Sequence, residues 1–193
     1  MIKNSIFTAF AIVSLAFLEA CSTPAPPYAV SIPNVQALKA ATTTGVAVDE
    51  FTAQPSASNQ SISIRANSMV SASGTFSKYL QNALIQELTD ARLLDPKSTI
   101  HISAVLTKND ISAAGFITNT AEIEARFTVT RDGKPVFDKV KYVTTKWDSN
   151  FIGAIAIPRA MQNYPNVVTE LLKELYADKD FIAALNNKFV QTL

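Results

Sequence analysis

Between residues 75 and 94 the apolar positions fall three and four apart: Phe76, Leu80, Ala83, Leu84, Leu88 and Ala91, with Glu87 at the margin of the stripe. That spacing turns one face of a helix toward a core. Asp95-Pro96 stops it, because the residue before a proline is pushed out of the α region. Residues 99–108 switch to alternation, with Ile100, Ile102, Ala104 and Leu106 against His101, Ser103, Val105 and Thr107. This is the pattern of a half-buried strand. The β-branched run at 44–51, centred on Val46 and Val48, reads as the first strand of the same domain.

The next alternating runs flank Asp132-Gly133, the signal for a two-residue type I′ turn with positive φ at both central residues. Arg131 then pairs with Lys134, and in every further pair the residue numbers sum to 265. Val129 faces Val136, Ala125 faces Val140 and Ile123 faces Tyr142 on an apolar side, while Glu124 meets Lys141 on a charged one. Two pairs do not fit: Phe127 opposite Asp138, and Arg126 opposite Lys139. A bulge near Asp138, a shifted turn, or Asp138 at the sheet margin would each resolve the first.

Elsewhere the pattern is weaker. Residues 30–38 allow a short extended piece broken by Pro33. Residues 52–74 are rich in Ser, Ala, Asn and Gln. They read as a long loop, silent or acting as a partner-facing flap, with a short edge strand at Ile62 and Ile64. Residues 109–120 read as a loop around Gly115. Residues 147–158 are apolar with neither period, fitting a buried crossover or an exposed contact surface. A helix with Pro165 in its first turn presents Val168, Leu171, Leu172 and Leu175. Asp180 is the expected cap of a terminal helix carrying Phe181, Ile182, Leu185 and Phe189.

The first twenty residues belong to a different pattern. Lys3 precedes a charge-free apolar run of 13 residues at 6–18, the n- and h-regions of a secretory signal. As a helix that run rises about 20 Å, short of the roughly 30 Å hydrocarbon core, so it is a cleaved segment. Leu18-Glu19-Ala20-Cys21 resembles the bacterial lipobox. The resemblance implies diacylglyceryl transfer to the Cys21 sulfur, cleavage before Cys21 and acylation of the new amine. Three acyl chains anchor firmly, since each buried CH₂ contributes about 0.8 kcal/mol. Ser22 stands where an aspartate would resemble the inner-membrane retention signal, so outer-membrane sorting facing the periplasm is implied. The expected organisation is a signal peptide at 1–20, a lipidated proline-rich tether at 21–43 and one domain at 44–193.

Composition narrows the chemistry. Cys21 is the only cysteine, so no intramolecular disulfide forms and the fold stands on its apolar core. The formal net charge of +1 gives no electrostatic footprint for nucleic acid. His101, the only histidine, lies on the polar face of its strand and reads as a surface residue, not a metal ligand. Glu122 and Glu124 share an outer face and read as partners of Lys139 and Lys141, not as an acid/base couple. No G-x-S-x-G, H-E-x-x-H, C-x-x-C or phosphate-cradling glycine loop occurs. The expectation is no enzyme, no catalytic residues, no metal and no cofactor.

The order strand, helix, strand, hairpin, helix predicts an α+β fold: β-α-β-β-β-α, a mostly antiparallel sheet with two main helices on one face. The helix from Phe76, the strand and hairpin up to Trp147, the Phe151–Pro158 segment and the closing helix resemble small outer-membrane lipoproteins of the YajG type and auxiliary lipoproteins of ABC-type transport systems. The resemblance covers roughly residues 44–185 and implies an accessory in envelope maintenance or lipid transport. Its one transferable functional position is Cys21. Two roles compete: a non-catalytic module docking on an envelope partner through the sheet edge or the 147–158 segment, and a lipid or amphiphile carrier with an apolar groove between helices and sheet. Trp147, Phe151, Ile152 and Ile155 are the candidate partner or lipid contacts.

Overall fold

The computed structural model describes residues 22–115 and 117–186. The signal segment, Cys21 and Phe189 lie outside them. Among the described residues there are seven strands in two sheets and four helices. In chain order they are β1 (Ser22–Pro24), α1 (Ile32–Ala41), β2 (Ala47–Ala53), β3 (Ser61–Ile64), β4 (Asn67–Val70), α2 (Phe76–Ala91), β5 (Ile100–Ser112), β6 (Thr118–Arg131), β7 (Lys134–Asp148), α3 (Gly153–Tyr176) and α4 (Lys179–Asn186). The fold is α+β, as expected, but with mixed sheets and additional elements.

The larger sheet runs β2-β5-β6-β7, with β2 parallel to β5 and the other pairs antiparallel. Helix α2 lies along β2, and α3 along β6 and β7. Ile100, Ile102, Ala104 and Leu106 face the core as the alternation requires. The register then slips at Thr107, which turns Asn109 inward. There the Asn109 amide donates to the Ser58 carbonyl (2.8 Å) and its oxygen accepts from the Tyr164 hydroxyl (3.1 Å). The ring of Tyr164 packs edge-on against Phe76 (4.9 Å between centroids) and Tyr79 (5.3 Å). Strand β5 therefore extends through residues expected to be loop.

The Asp132-Gly133 turn has positive φ at both residues, 49° and 75°. Arg131 pairs with Lys134 and Thr130 with Pro135, but Val129 then faces Phe137, not Val136. Val136 is the extra residue of a bulge. Beyond it every pair sums to 266, so the expected facing is inverted. Phe137 enters the core against Phe181 (5.5 Å) while Val140 and Tyr142 are exposed. Both misfits disappear. Arg126 donates to both Asp138 oxygens (2.6 and 2.5 Å) on the outer face. Lys139 and Lys141 turn toward the helices and donate to Asp178 (3.1 and 2.5 Å), with Lys139 also donating to Asp180 (2.6 Å). The expected pairing of these lysines with Glu122 and Glu124 is replaced by Lys108 with Glu122 and Thr107 donating to Glu124 (2.6 Å).

The segment read as a tether and loop builds the smaller sheet, β1-β4-β3. Ser22 pairs with Ser68, and Ile62, Ile64 and Met69 are fully buried. The proline-rich stretch is thus packed onto the domain from Ser22 onward. Where an extended piece was expected, α1 forms, because Pro33 occupies its first turn and the Ser31 hydroxyl accepts from the Asn34 N–H (3.4 Å). Pro165 is interior to α3, not in its first turn. The terminal helix is capped by Asp178, whose carboxylate accepts from the Asp180 N–H (2.8 Å), and not by Asp180.

Candidate functional site

At the end of the molecule opposite the Asp132-Gly133 turn, three loops meet on Arg65. This residue sits in the β3–β4 turn with φ 55°. Its Nε donates to the Ala113 carbonyl (2.8 Å), Nη2 to the Asn150 carbonyl (2.9 Å) and Nη1 to the Phe151 carbonyl (3.4 Å). The Ser149 N–H donates to the Ile117 carbonyl (2.8 Å), and its hydroxyl donates to the Gly115 carbonyl. Gly115 admits no side chain: an added Cβ would stand 2.0 Å from the Thr118 carbonyl oxygen. Next, the Asn150 side chain accepts from the Ile152 N–H (2.8 Å) as α3 begins.

Apolar side chains are exposed on this scaffold. Ile117 is 82% exposed, Phe151 79%, Ile152 57% and Ile155 43%. Of the four sequence candidates, Phe151, Ile152 and Ile155 come together here, and Ile117 from the β5–β6 loop joins them. Trp147 instead packs partly buried against the core from β7. The sequence reading missed Ile117 because nothing local distinguishes a lone isoleucine in a loop. Its proximity to Phe151 follows only from the β6–β7 register, which pairs Thr118 with Asp148.

The same end receives the N-terminal strand. Strand β1 is parallel to β4, and Ser22 pairs with Ser68, three residues past Arg65. The chain therefore enters the fold on the side of the Arg65 turn, with Cys21 immediately preceding Ser22 in sequence. Cys21 itself lies outside the described residues.

A second polar cluster ties the N-terminal segment down. Glu87 is fully buried, not marginal. It accepts from the Tyr28 hydroxyl (2.6 Å), the Tyr176 hydroxyl (2.8 Å), the Asn34 amide (3.2 Å) and the Ser31 N–H (3.3 Å). Burial raises its pKa, opposed by the hydrogen bonds from Tyr28, Tyr176, Asn34 and Ser31. With every donor aimed at the carboxylate and no solvent access, this cluster clamps α1, α2 and α3 together.

His101 lies on the outer sheet face, its Nδ1 2.8 Å from Asp49 Oδ1. Among the described residues no three His, Cys, Asp or Glu side chains gather as a metal site. Glu122 and Glu124 are spoken for by Lys108 and Thr107. A depression of about 420 Å³ lies between the N-terminal segment and α2, lined by Pro24, Tyr28, Tyr79 and Gln86 among others. No described helix is long and apolar enough to cross a membrane.

The architecture is that of a known α+β class. The chain is similar to XCC0632 of Xanthomonas campestris, a protein of the DUF330 family, with a TM-score of 0.56 over 87% of this chain and 99% of that one at 12% identity. At lower overlap it is similar to CT253 of Chlamydia trachomatis (TM-score 0.47, 10% identity, 74% and 99% covered). A Caulobacter crescentus protein provisionally called a lipoprotein gives a TM-score of 0.41 at 13% identity, with 57% and 84% covered. No family model and no curated protein matches the chain. The likeness to the DUF330 protein is one of fold.

Proposed function

We propose that the protein is a lipid-anchored lipoprotein of the cell envelope, held through Cys21 in the outer membrane, facing the periplasm and serving as a non-catalytic accessory or binding module in envelope maintenance or transport. The lipobox resemblance supplies the anchor. The observation that supports the reading is the position of β1: Ser22, the residue after the proposed lipidation site, is already paired with Ser68, so a lipid on Cys21 would hold the domain close to the membrane. The YajG-type kinship read from the residue pattern belongs to this proposal.

The accessory role is favoured over the carrier by the packing between helices and sheet. Phe76, Phe127, Tyr164 and Leu171 fill that layer and are fully buried or within 1% of it, so an apolar groove there would require the core to part. A docking surface is available elsewhere. Strand β7 is an edge strand of 15 residues, paired on one side only among the described residues, with Val140 and Tyr142 exposed on its outer face. Such an edge is a template for an added strand from a protein partner.

In-cell photocrosslinking from Val140 and Tyr142, each replaced by a photoreactive residue, tests this. The module predicts a discrete protein adduct from both positions. Lipid adducts from buried-layer positions such as Phe127, with none of protein from β7, would favour the carrier instead.

A further inference from the structure

We propose that the apolar end of the domain rests on the bilayer that carries the Cys21 lipid, with Ile117, Phe151, Ile152 and Ile155 in its interfacial region. The inference deepens the proposed function and rests on acylation of Cys21.

Three observations converge on it. The first is distance. Ser22 and Ser68 are neighbours in a parallel pair, about 5 Å apart, and Arg65 lies three residues before Ser68. The Arg65 guanidinium is in turn bonded to the loops that carry the exposed residues. An acyl group on the residue before Ser22 therefore enters the membrane beside these side chains, with no intervening spacer to let the domain stand off.

The second is direction. Strand β1 runs from Ser22 away from the Arg65 turn, because it is parallel to β4. Its N-terminal side points to the same end as the β5–β6 loop and the start of α3. The third is chemistry. Four large apolar side chains, Ile117 and Phe151–Ile152 from two loops and Ile155 from the first turn of α3, are exposed at this end, on loops held by a guanidinium and backbone hydrogen bonds, whereas a protein of this size normally buries or scatters them. Lys146 and Arg159 are exposed nearby, against the exposed Asp148. Arg159 reaches the Asp148 carbonyl (3.4 Å). Cations at the rim of an apolar patch suit an anionic lipid surface.

The consequence is a fixed orientation. One lipid anchor alone would let the domain tumble about its attachment; a second contact at the same end holds the long axis of the large sheet away from the bilayer. The Asp132-Gly133 turn then becomes the membrane-distal pole.

The test uses the full chain processed in cells, purified as the lipidated protein and reconstituted into phosphatidylethanolamine–phosphatidylglycerol vesicles. Since Cys21 is the only cysteine and is consumed by acylation, single substitutions Ile117→Cys, Ile152→Cys and Lys134→Cys each accept one environment-sensitive fluorophore. Flotation with the vesicles reports the anchor, and quenching by nitroxide-labelled lipid reports the contact, so the two failures are separable. The expected result is blue-shifted emission at Ile117→Cys and Ile152→Cys, with quenching at least threefold stronger than at Lys134→Cys. Equal, weak quenching at all three positions on floating vesicles overturns the inference while leaving the anchor intact. Protein that does not float overturns the anchor, and the inference with it. A discrete protein adduct in place of lipid, from a photoreactive residue at Ile152 in cells, also contradicts it and assigns this end to a protein partner.

Discussion

Glu87 shows how much a single residue can hide. The helical stripe places it beside the core-facing positions, but periodicity sees only the helix that carries it. Its partners Tyr28, Asn34 and Tyr176 are 59, 53 and 89 residues away, so the clamp was illegible locally. Replacing Glu87 by Leu would leave the Tyr28 and Tyr176 hydroxyls without their acceptor in the core, while the Asn34 amide keeps its bond to the Thr169 carbonyl. A loss of about 3–5 kcal/mol is expected by chemical denaturation. Glu87→Gln keeps an acceptor and can donate to a tyrosine oxygen, so its loss should be less than half of that. The sign of the pH effect follows from the raised carboxyl. The folded state holds the proton more tightly than the unfolded chain, so the favourable contribution is fully present below about pH 4.5 and declines as pH rises through the folded value. Glu87→Gln should remove that decline.

Asp178 works in the opposite sense. Burial opposes its charge, but hydrogen bonds from Lys141, the Asp180 N–H and Lys139 outweigh it and hold the carboxyl at about 2. Its contribution is present above the ordinary value of 3.8 and is lost as pH falls through 2. Asp178→Asn retains the cap of α4 but not the charge. It should cost about 2 kcal/mol at pH 7, with the difference from wild type shrinking in denaturation curves taken below pH 3.8.

Among the elements, those whose signals are local could be read from the chain: α2, the inner face of β5 as far as Leu106, the Asp132-Gly133 turn and the apolar stripe of α3. The β6–β7 hairpin was legible up to its turn and then wrong by one residue. Alternation of Val136, Asp138, Val140 and Tyr142 is as regular as that of Phe137, Lys139, Lys141 and Val143. Only Phe181 and the acids at the start of α4 select the second set. The mismatched Arg126–Lys139 and Phe127–Asp138 pairs were the available sign of a bulge. The β1-β4-β3 sheet had a weaker signal, because its pairing of Ser22 with Ser68 spans a long stretch of chain. The bulge makes a sharp prediction. Deleting Val136 leaves Val129 facing Phe137 and every later pair unchanged, and should cost less than about 2 kcal/mol. Deleting Lys139 shifts the remainder of β7 by one and exchanges its two faces, so the protein should fail to fold. Cross-strand nuclear Overhauser effects and thermal unfolding distinguish these outcomes.

At the scale of the whole molecule, the candidate site was partly legible. An apolar segment with neither period marked Phe151, Ile152 and Ile155, and the structure exposes all three. Trp147 belongs to the same run but falls on the inner side of β7, a placement that depends on the bulge at Val136. That the chain enters the fold at the apolar end could not be read from sequence, since it follows from β1 running parallel to β4 and from Arg65 joining three loops. With the lipid proposed at Cys21, this arrangement accounts for a proline-rich segment that packs on the domain instead of serving as a spacer. It also accounts for an end of the fold that keeps its apolar side chains out of the core.

The whole account depends on the lipid proposed at Cys21. Metabolic labelling with radioactive palmitate, followed by membrane fractionation of the wild type and Cys21→Ala, measures it directly. The account predicts label on the wild-type protein in the outer-membrane fraction, and for Cys21→Ala no label and release from that fraction. An unlabelled wild type, with Cys21→Ala still sedimenting with outer membranes, would contradict it.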